Sequence, residues 1–446
     1  MRILHLIHQF APERRGGAER HLLQLAKAQI KKHDILIYTQ CVDHQGADAT
    51  HESVEGLPVR RWMDRSPKAR YKLQRDLLNT AREFHPDLIH IHHGIGFGTD
   101  TLGKLTATHP TIITLHDYWW ICSQIRLLFR GDTPCPGPKP SKRCSDCYKG
   151  ARAGDLAGEA SLYFERGLLA PFFKLSRYGA SHAYDNDSNQ RSRSLFTKLL
   201  GGLSPMRKSF FKARMKTMKS IFRQTKAFIS PSQYLARRYY EAGLTLPENK
   251  LHFIPYGIDE NEFAPCEFPA TKPPLRFALI GHLNREKGVD LAIGAFREIS
   301  ANSATLHLYG DADLSRQSEG IVSRRPNQIY LHGAFEPSQA ASIFENIDAL
   351  ILPSIWVENA PKVLHEAFGA GVPVIASDHG SLPEFVGEGR GGMLFKAHDA
   401  LNLRSLIKEI AANPEKLQTA RDTIPKPVGI GKSARMIEDI YKEIIS

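Results

Sequence analysis

The chain has 446 residues, of which 42% are hydrophobic and 24% are charged. This length exceeds one compact core and suits about two domains, and the composition is that of a globular protein in water. No run of about 20 apolar residues exists, and the N-terminal MRILHLIHQF lacks the ordered regions of a secretory signal. We therefore predict a cytoplasmic chain whose six cysteines are reduced.

The formal charge of +12 is concentrated in one segment. Residues 166–226 contain fourteen Lys and Arg against two Asp, so the rest of the chain is close to neutral. Such a basic patch suits nucleic acid, anionic lipid or a phosphorylated substrate as a partner.

The first half alternates short apolar runs with helical patterns, which predicts a parallel sheet covered on both faces. Strand patterns occupy 3–7, 34–40, 87–93 and 111–116, and helical patterns occupy 20–31 and 71–84. The second half repeats this alternation from the strand pattern at 275–283 and the helical pattern at 289–299. A Pro-rich stretch at 256–274 is typical of a linker. Two doubly wound domains facing a cleft are the predicted architecture.

Residues 353–369 read PSIWVENAPKVLHEAFG and place Glu358 and Glu366 around a predicted helix start. Pro361 fits the first turn and Asn359 fits the N-cap, so the first amides would favour a phosphate or diphosphate. Because helical side chains lean toward the N-terminus, Glu366 reaches the same ligand. The layout fits a nucleotide-sugar, although the segment on its own is also compatible with a solvated loop and helix face.

This segment resembles the E-x7-E signature of retaining glycosyltransferases with the GT-B fold, the large family four (glycosyl transferases group 1). Seven further stretches resemble the motifs of that family in the expected order. They are GGAERHLLQLAKAQIKKHDILIYT, PDLIHIHH, TLHDYW, IPYGID, GHLNREKGVDLAIGAF, LHLYGD and VPVIASDHGSLPEFV. The resemblance extends over most of the chain.

The resemblance implies two Rossmann-like α/β domains. We expect an acceptor-binding domain at 1–255, which contains a cysteine-rich loop at 118–150 and a basic insertion at 151–226. After the linker, a nucleotide-sugar-binding domain is expected at 275–425. A C-terminal helix at 426–446 is expected to return to the first domain.

The resemblance also implies roles for residues at the diphosphate. Lys287 would neutralise charge on the leaving diphosphate. His282 stands where the family usually has Arg, and Arg285 is a candidate to supply that charge instead. Donor-binding residues are expected at the helix start, at Asn359, Ala360, Lys362 and Val363, with the backbone amides of Lys362 and Val363 directed at the diphosphate.

Other roles implied by the resemblance concern the sugars and the glycine loop. His116 would hydrogen-bond the transferred sugar, Glu358 would stabilise the reacting carbon, and Glu366 would bind the ribose hydroxyls. Gly16 and Gly17 would let backbone amides approach the diphosphate or the acceptor.

The implied reaction moves a sugar from a nucleoside diphosphate to a hydroxyl of a glycan or lipid-linked acceptor, with retention at C1 and without a required metal. The expected setting is the synthesis of a cell-surface glycan or exopolysaccharide. Alternatives are an epimerase, a sugar phosphorylase, or a non-catalytic binding or scaffolding homologue.

Four cysteines form the pattern C-x12-C-x8-C-x2-C in a loop with four prolines: Cys122, Cys135, Cys144 and Cys147. A structural zinc would fix such a loop, since four thiolates form a closed tetrahedral site. Free thiols and disulfides are the alternatives.

Residues 206–222 place apolar side chains near a helical period with Lys and Arg between them. One interpretation is a helix that packs on the first domain and has a solvated basic face. The other is peripheral contact of 166–226 with anionic lipid on the inner face of the cell membrane. Nucleic acid is disfavoured, since no recognised binding motif accompanies the charge.

His90, His92 and His93 raise the question of a metal site. We favour the interpretation that they are polar groups at the end of a strand.

Overall fold

The computed structural model describes residues 1–43, 45–46, 48–64, 69–129, 133–137, 142–148, 204–265 and 272–446. Most of the basic segment 166–226 lies outside the described residues. The chain divides into two compact units. The first contains 1–230, 235–254 and 434–446, and the second contains 231–234 and 255–433.

The first unit is built on an eight-stranded sheet with the order β10-β9-β6-β5-β1-β2-β4-β3. Neighbouring strands are parallel except β3 and β4, which pair antiparallel. Its strands are β1 Arg2–Leu6, β2 Asp34–Gln40, β3 Ala49–Val54, β4 Leu57–Trp62, β5 Leu88–Ile91, β6 Thr111–Thr114, β9 Ala227–Ser230 and β10 Leu251–Phe253. A separate antiparallel pair joins β7 Leu128–Phe129 to β8 Thr133–Pro134.

The helices of the first unit include the two predicted from sequence. They are α1 Gly17–Gln29, α2 Arg70–Phe84, α3 Thr99–Thr108, α4 Lys142–Tyr148, α5 Ser204–Gln224 and α6 Gln233–Glu241. A short 3-10 helix, Glu248–Lys250, precedes β10.

The second unit is a six-stranded parallel sheet with the order β13-β12-β11-β14-β15-β16. Its strands are β11 Leu275–Ile280, β12 Ala304–Tyr309, β13 Ile329–Gly333, β14 Ala349–Leu352, β15 Val374–Ser377 and β16 Gly392–Phe395. Its helices are α7 Val289–Phe296, α8 Arg316–Ser323, α9 Ala340–Glu345, α10 Lys362–Gly369, α11 Leu382–Phe385, α12 Ala400–Ala412 and α13 Glu415–Asp422. The 3-10 helices are Arg285–Lys287 and Pro337–Gln339.

The strands at the centre of both sheets are apolar and buried. All four residues of β14 and of β15 are buried, as are Ile3 and Leu4 in β1. A strand buried on both faces needs helices on each side, which is the doubly wound arrangement. The predicted pair of parallel sheets is therefore confirmed.

Most of the C-terminal helix α14, Ile430–Ile445, belongs to the first unit, from Ala434 onward. Ile437 and Tyr441 are fully buried there, in one apolar cluster with Ile3 and Ile112. The cluster joins the end of the chain to the centre of the first sheet. In the predicted linker, Ile258 and Phe263 instead pack into the core of the second unit.

Helix α5 confirms the predicted helix over 206–222. Met218, Ile221 and Phe222 are buried on it, whereas its Lys212 and Lys216 are exposed. Among the residues that the structure describes, we find no helix with the length and apolar character needed to cross a bilayer.

Candidate active-site residues

Two loops of the second unit bring Lys287 and Glu358 together. The carbonyl of Glu286 accepts the amides of Ile355 at 2.8 Å and Trp356 at 3.1 Å. Gly288 permits this approach, since its φ is +74° and a Cβ there would lie 1.9 Å from the carbonyl oxygen of Pro353. The loop after β11 is thus fastened to the loop after β14, at the carboxyl ends of neighbouring strands.

Glu358 is almost fully buried and accepts two hydrogen bonds on one oxygen. The ammonium of Lys287 lies 2.7 Å from Oε1, and the hydroxyl of Ser354 lies 2.6 Å from the same atom. The side chain of Lys287 keeps about a third of its surface exposed (35%). A buried carboxylate is therefore held by a cation that still reaches solvent. Sequence reasoning missed Ser354, although it stands in the quoted stretch four residues before Glu358.

The helix after Glu358 begins later than predicted. α10 starts at Lys362, and Pro361 occupies the N-cap with an extended backbone (φ −67°, ψ 122°). Asn359 is not the N-cap, because its Oδ1 accepts the adjacent amide of Ala360 at 3.0 Å. The amide of Leu364 bonds to the carbonyl of Pro361 at 3.0 Å.

Glu366 lies one turn inside α10 and is buried beside Lys362. Their nearest charged atoms are 3.7 Å apart, and both side chains are at most 4% exposed. Lys362 therefore lies in the first turn of the helix and has a buried ammonium. The sequence analysis considered only its backbone amide and missed the ammonium. His282 and Arg285 both lie on the exposed surface near the 3-10 turn of Lys287.

In the first unit, Gly16 is the N-cap of α1 and Gly17 is its first residue, both exposed. A Cβ at Gly16 would lie 2.6 Å from Oε2 of Glu19, whereas a Cβ at Gly17 would meet nothing within 4 Å. Neither glycine is required by a positive φ. Gly17 thus leaves open space at the start of a thirteen-residue helix.

His116 follows β6 and belongs to a chain of buried imidazoles. Its Nε2 lies 3.2 Å from Nδ1 of His92, and Nε2 of His92 lies 3.1 Å from Nδ1 of His5. Because a neutral imidazole carries one N–H, His92 donates at one nitrogen and accepts at the other. The tautomer of His116 is thereby coupled to the tautomers of His92 and His5.

Burial keeps these linked imidazoles neutral. It lowers the pKa of His5 and of His116 to about 3, and it holds the pKa of His92 well below its ordinary value. At neutral pH, His116 is a hydrogen-bonding group rather than a cation.

Asp117 is a further polar residue that sequence reasoning passed over, although it directly follows His116 in TLHDYW. Burial alone would raise its pKa, but the charge and hydrogen bond of His93, together with the Trp119 amide, lower it. His93 lies 2.7 Å from Oδ2, and the Trp119 amide donates to Oδ1 at 2.7 Å. An ionised carboxylate thus stands beside His116.

Two groups of histidines in the described part of the chain bring three ring nitrogens within 4.8 Å of one another. They are His5 with His90 and His92, and His21 with His92 and His116. Both nitrogens of His90 already have partners, Tyr441 Oη at 2.5 Å and Thr114 Oγ1 at 2.7 Å. A hydrogen-bonded polar network accounts for His90 and His92, and a hydrogen bond to Asp117 accounts for His93.

The four clustered cysteines are free thiols that line one cavity. Burial raises the pKa of Cys122 to about 12. Burial and the neighbouring Cys135 and Cys147 raise the pKa of Cys144 to about 11. These two thiols are therefore protonated at neutral pH.

Comparison with known proteins identifies the class to which these units belong. A family model described as Glycosyltransferase Family 4 matches residues 15–133, and one described as Glycosyl transferases group 1 matches residues 262–426. The first match contains His92 and His116 of the imidazole chain, and the second contains the Lys287–Glu358 pair and α10.

Solved glycosyltransferases share the fold. The Anabaena protein Alr3699/HepE in complex with UDP matches with a TM-score of 0.61 and 16% identity, covering 99% of this chain and 100% of that one. The lipopolysaccharide outer core galactosyltransferase WaaB matches with a TM-score of 0.60 and 13% identity, over 99% and 100% of the two chains. The two doubly wound units therefore define a GT-B fold.

Curated relatives have related sequences over part of their length. A putative colanic acid biosynthesis glycosyltransferase WcaL of Escherichia coli (strain K12) is 25% identical over 201 residues, which are 43% of this chain and 48% of that protein. The amylovoran biosynthesis glycosyltransferase AmsK of Erwinia amylovora is 23% identical over 219 residues, or 47% and 53% of the two chains. The chain spans about half the length of the curated relatives it matches. It belongs to the family-four glycosyltransferases with the GT-B fold.

Proposed function

We propose that the chain is a retaining glycosyltransferase that transfers a sugar from a nucleoside-diphosphate-sugar to a hydroxyl of a glycan or lipid-linked acceptor. The observation that carries this proposal is the pairing of Lys287 with the buried Glu358 directly before helix α10. The names of WcaL and AmsK, which refer to colanic acid and amylovoran biosynthesis, support a role in making a cell-surface glycan or exopolysaccharide.

The donor would lie along α10. Helix geometry gives the amides of the first turn no acceptor inside the helix, and the positive end of the dipole favours a diphosphate there. Lys362 and Val363 are in this turn. Glu366, one turn further, would accept the ribose hydroxyls, with Lys362 holding its carboxylate in place.

The reaction breaks the bond from C1 of the sugar to the diphosphate oxygen and forms a bond from C1 to the acceptor oxygen on the same face. The acceptor proton passes to the leaving diphosphate. Lys287 would stabilise the charge that grows on that diphosphate, and the carboxylate of Glu358 would stabilise the positive charge at C1. His116, neutral and fixed through His92, would hydrogen-bond the transferred sugar.

We propose that the transfer needs no divalent metal. Lys287, Arg285 and the start of α10 supply positive charge where other enzymes use Mg²⁺. The exposed His282 would add a hydrogen bond rather than a full charge. Gly17 has the space for an amide to approach a phosphate or an acceptor.

Titration of the purified chain with UDP, GDP, ADP and their sugar conjugates, followed by calorimetry, tests the donor site. We expect selective binding of one nucleotide and at least about tenfold weaker binding in Glu366→Ala, since hydrogen bonds to a carboxylate contribute about 1.5–3 kcal/mol. Glu345→Ala, which removes an exposed carboxylate of the same unit, is the matched control and should bind as the unmodified chain does. Failure of every nucleotide to bind would overturn the proposal.

Selective binding without turnover of the donor would favour the second candidate, a non-catalytic homologue. The observation that favours a non-catalytic homologue is His282, which stands in place of the usual arginine of the family at an exposed position near Lys287.

A further inference from the structure

The four cysteines of the proline-rich loop come from three separate pieces of backbone but line one cavity. Cys122 lies in the turns after β6, Cys135 directly follows β8, and Cys144 and Cys147 lie on α4. The same cavity is also lined by Phe211 and Arg214 of α5.

The backbone around each cysteine is held by short contacts. The amide of Cys122 donates to the carbonyl of Tyr118 at 2.6 Å, and the amide of Cys135 donates to the carbonyl of Leu127 at 2.7 Å. Cys144 and Cys147 are three residues apart on one helix, so their side chains share a face. The Sγ atom of Cys147 lies 3.8 Å from the carbonyl oxygen of Leu128. Each thiol is therefore presented from an ordered position.

A cation stands beside the thiols. The guanidinium of Arg214 is 2% exposed and donates to the carbonyls of Trp119 and Trp120. Its side chain also lines the cavity of the four cysteines.

We propose that Cys122, Cys135, Cys144 and Cys147 bind one structural zinc ion, which fastens the backbone at Cys122 and Cys135 to helix α4. The proposal goes beyond the proposed glycosyl transfer and does not rest on it. Four sulfurs from a short segment are the ligand set that tetrahedral zinc prefers. A metal would add to the stability of this segment, as structural zinc does in other small structural elements.

Zinc binding would draw the thiols closer than they lie without it. No three of these four Sγ atoms lie within 4.8 Å of one another, whereas zinc–sulfur bonds of about 2.3 Å place sulfurs about 3.8 Å apart. Each thiol would release a proton to solvent on binding, leaving a site of net charge −2. Arg214 would offset one of these charges, as outer-shell partners of metal sites do.

Metal analysis of the full chain, purified without metal-affinity resin from zinc-supplemented cells, tests the proposal. We expect close to one zinc per chain, and at least about a tenfold loss of zinc in Cys144→Ser and Cys147→Ser. Cys41→Ser is the matched control, because Cys41 is a buried thiol elsewhere in the same unit, bonded to the carbonyl of Met63. It should keep its zinc.

A second measurement covers the case in which the serine variants do not fold. Titration of the unmodified chain with a mercurial should release zinc in step with the modification of four thiols, and Co²⁺ in place of zinc should give the absorption of a tetrahedral tetrathiolate. Absence of zinc from the unmodified chain would overturn the proposal. So would zinc that survives in both serine variants but is lost in His21→Leu, since this would assign the metal to the histidines.

Discussion

At the scale of single residues, Glu358 is the one whose surroundings say most about its use. Lys287 and Ser354 both donate to its Oε1. Removing Lys287 would leave a buried carboxylate without its cation, which would destabilise the fold by several kcal/mol. A loss of activity in such a variant could then reflect either unfolding or a catalytic defect. Glu358→Gln removes the charge and keeps one oxygen that can accept from both donors, while its other oxygen becomes an NH2 group. It is therefore the informative substitution at this pair.

The imidazole chain makes a prediction about pH. The pKa of His5 and of His116 is about 3 in the folded chain, below the ordinary 6.5. Between these values the unfolded chain binds more protons than the folded one, so acid favours unfolding. The stability that each histidine contributes is complete above about pH 6.5 and is lost as the pH falls toward 3. The expected slope is about 1.4 kcal/mol per pH unit for each.

Urea unfolding at a series of pH values from 7 to 4 measures this effect. We expect the free energy of unfolding of His5→Leu to depend on pH less steeply than that of the unmodified chain, by about 1.4 kcal/mol per pH unit. Identical slopes would mean that His5 is not held neutral by burial. The loss of its bond to His92 would lower stability at every pH and would not mimic a change of slope.

At the scale of elements, helix α5 carries the prediction about membranes. Its Lys212, Lys216 and Lys219 are exposed, while Met218 and Phe222 on the other side are buried. We propose that this basic face contacts anionic lipid, with about 1 kcal/mol from each lysine near the surface. Charge reversal of the three lysines should therefore abolish salt-sensitive sedimentation with phosphatidylglycerol vesicles. The matched control reverses three exposed lysines of the second unit: Lys396, Lys408 and Lys426.

Unchanged vesicle binding in the α5 variant, with binding lost in the control, would contradict the proposal and leave α5 a packing element. Because only exposed side chains change in both variants, neither substitution is expected to disturb the core.

Elements with a strong apolar period were predictable from sequence. β2 was predicted at 34–40 and is Asp34–Gln40, and α2 was predicted at 71–84 and is Arg70–Phe84. Both have one continuous signal, a buried apolar run or a helical stripe, which local sequence contains in full.

Elements at the edge of a sheet were not predictable in the same way. β3 and β4 pair as an antiparallel hairpin. No strand was predicted there, between the strand pattern at 34–40 and the helical pattern at 71–84. Only the last residue of β3 is buried. Its exposed polar residues therefore lack the apolar pattern by which a strand is predicted. The prediction of where α10 begins was also wrong. Asn359 is a residue type that commonly forms an N-cap, but its side chain accepts a hydrogen bond from the next amide instead.

The candidate site was predictable as a set of residues but not as a set of contacts. The resemblance to family-four glycosyltransferases indicated Glu358, Lys287 and His116. The bond from Lys287 to Glu358 joins residues 71 positions apart. The bond from His5 to His92 joins residues 87 positions apart. Such pairs depend on sheet order, which local patterns do not contain.

At the scale of the whole molecule, the chain combines two units of one architecture with different chemical content. The first unit contains the neutral imidazole chain, the cysteine cavity and the basic helix. The second contains the Lys287–Glu358 pair and α10. Family models match both units, at 15–133 and 262–426. This division suits a transferase in which the second unit binds the donor and the first accommodates acceptors.

The most direct test of retaining transfer is the stereochemistry of donor hydrolysis, followed by proton NMR at early times. With the nucleotide-sugar that binds, we predict release of the sugar as the same anomer that the donor carries. The rate should fall roughly a hundredfold in Glu358→Gln, with little change in nucleotide affinity, and should be unchanged in the control Glu388→Gln, an exposed position of the same unit. Release of the opposite anomer, or full activity in Glu358→Gln, would contradict the account.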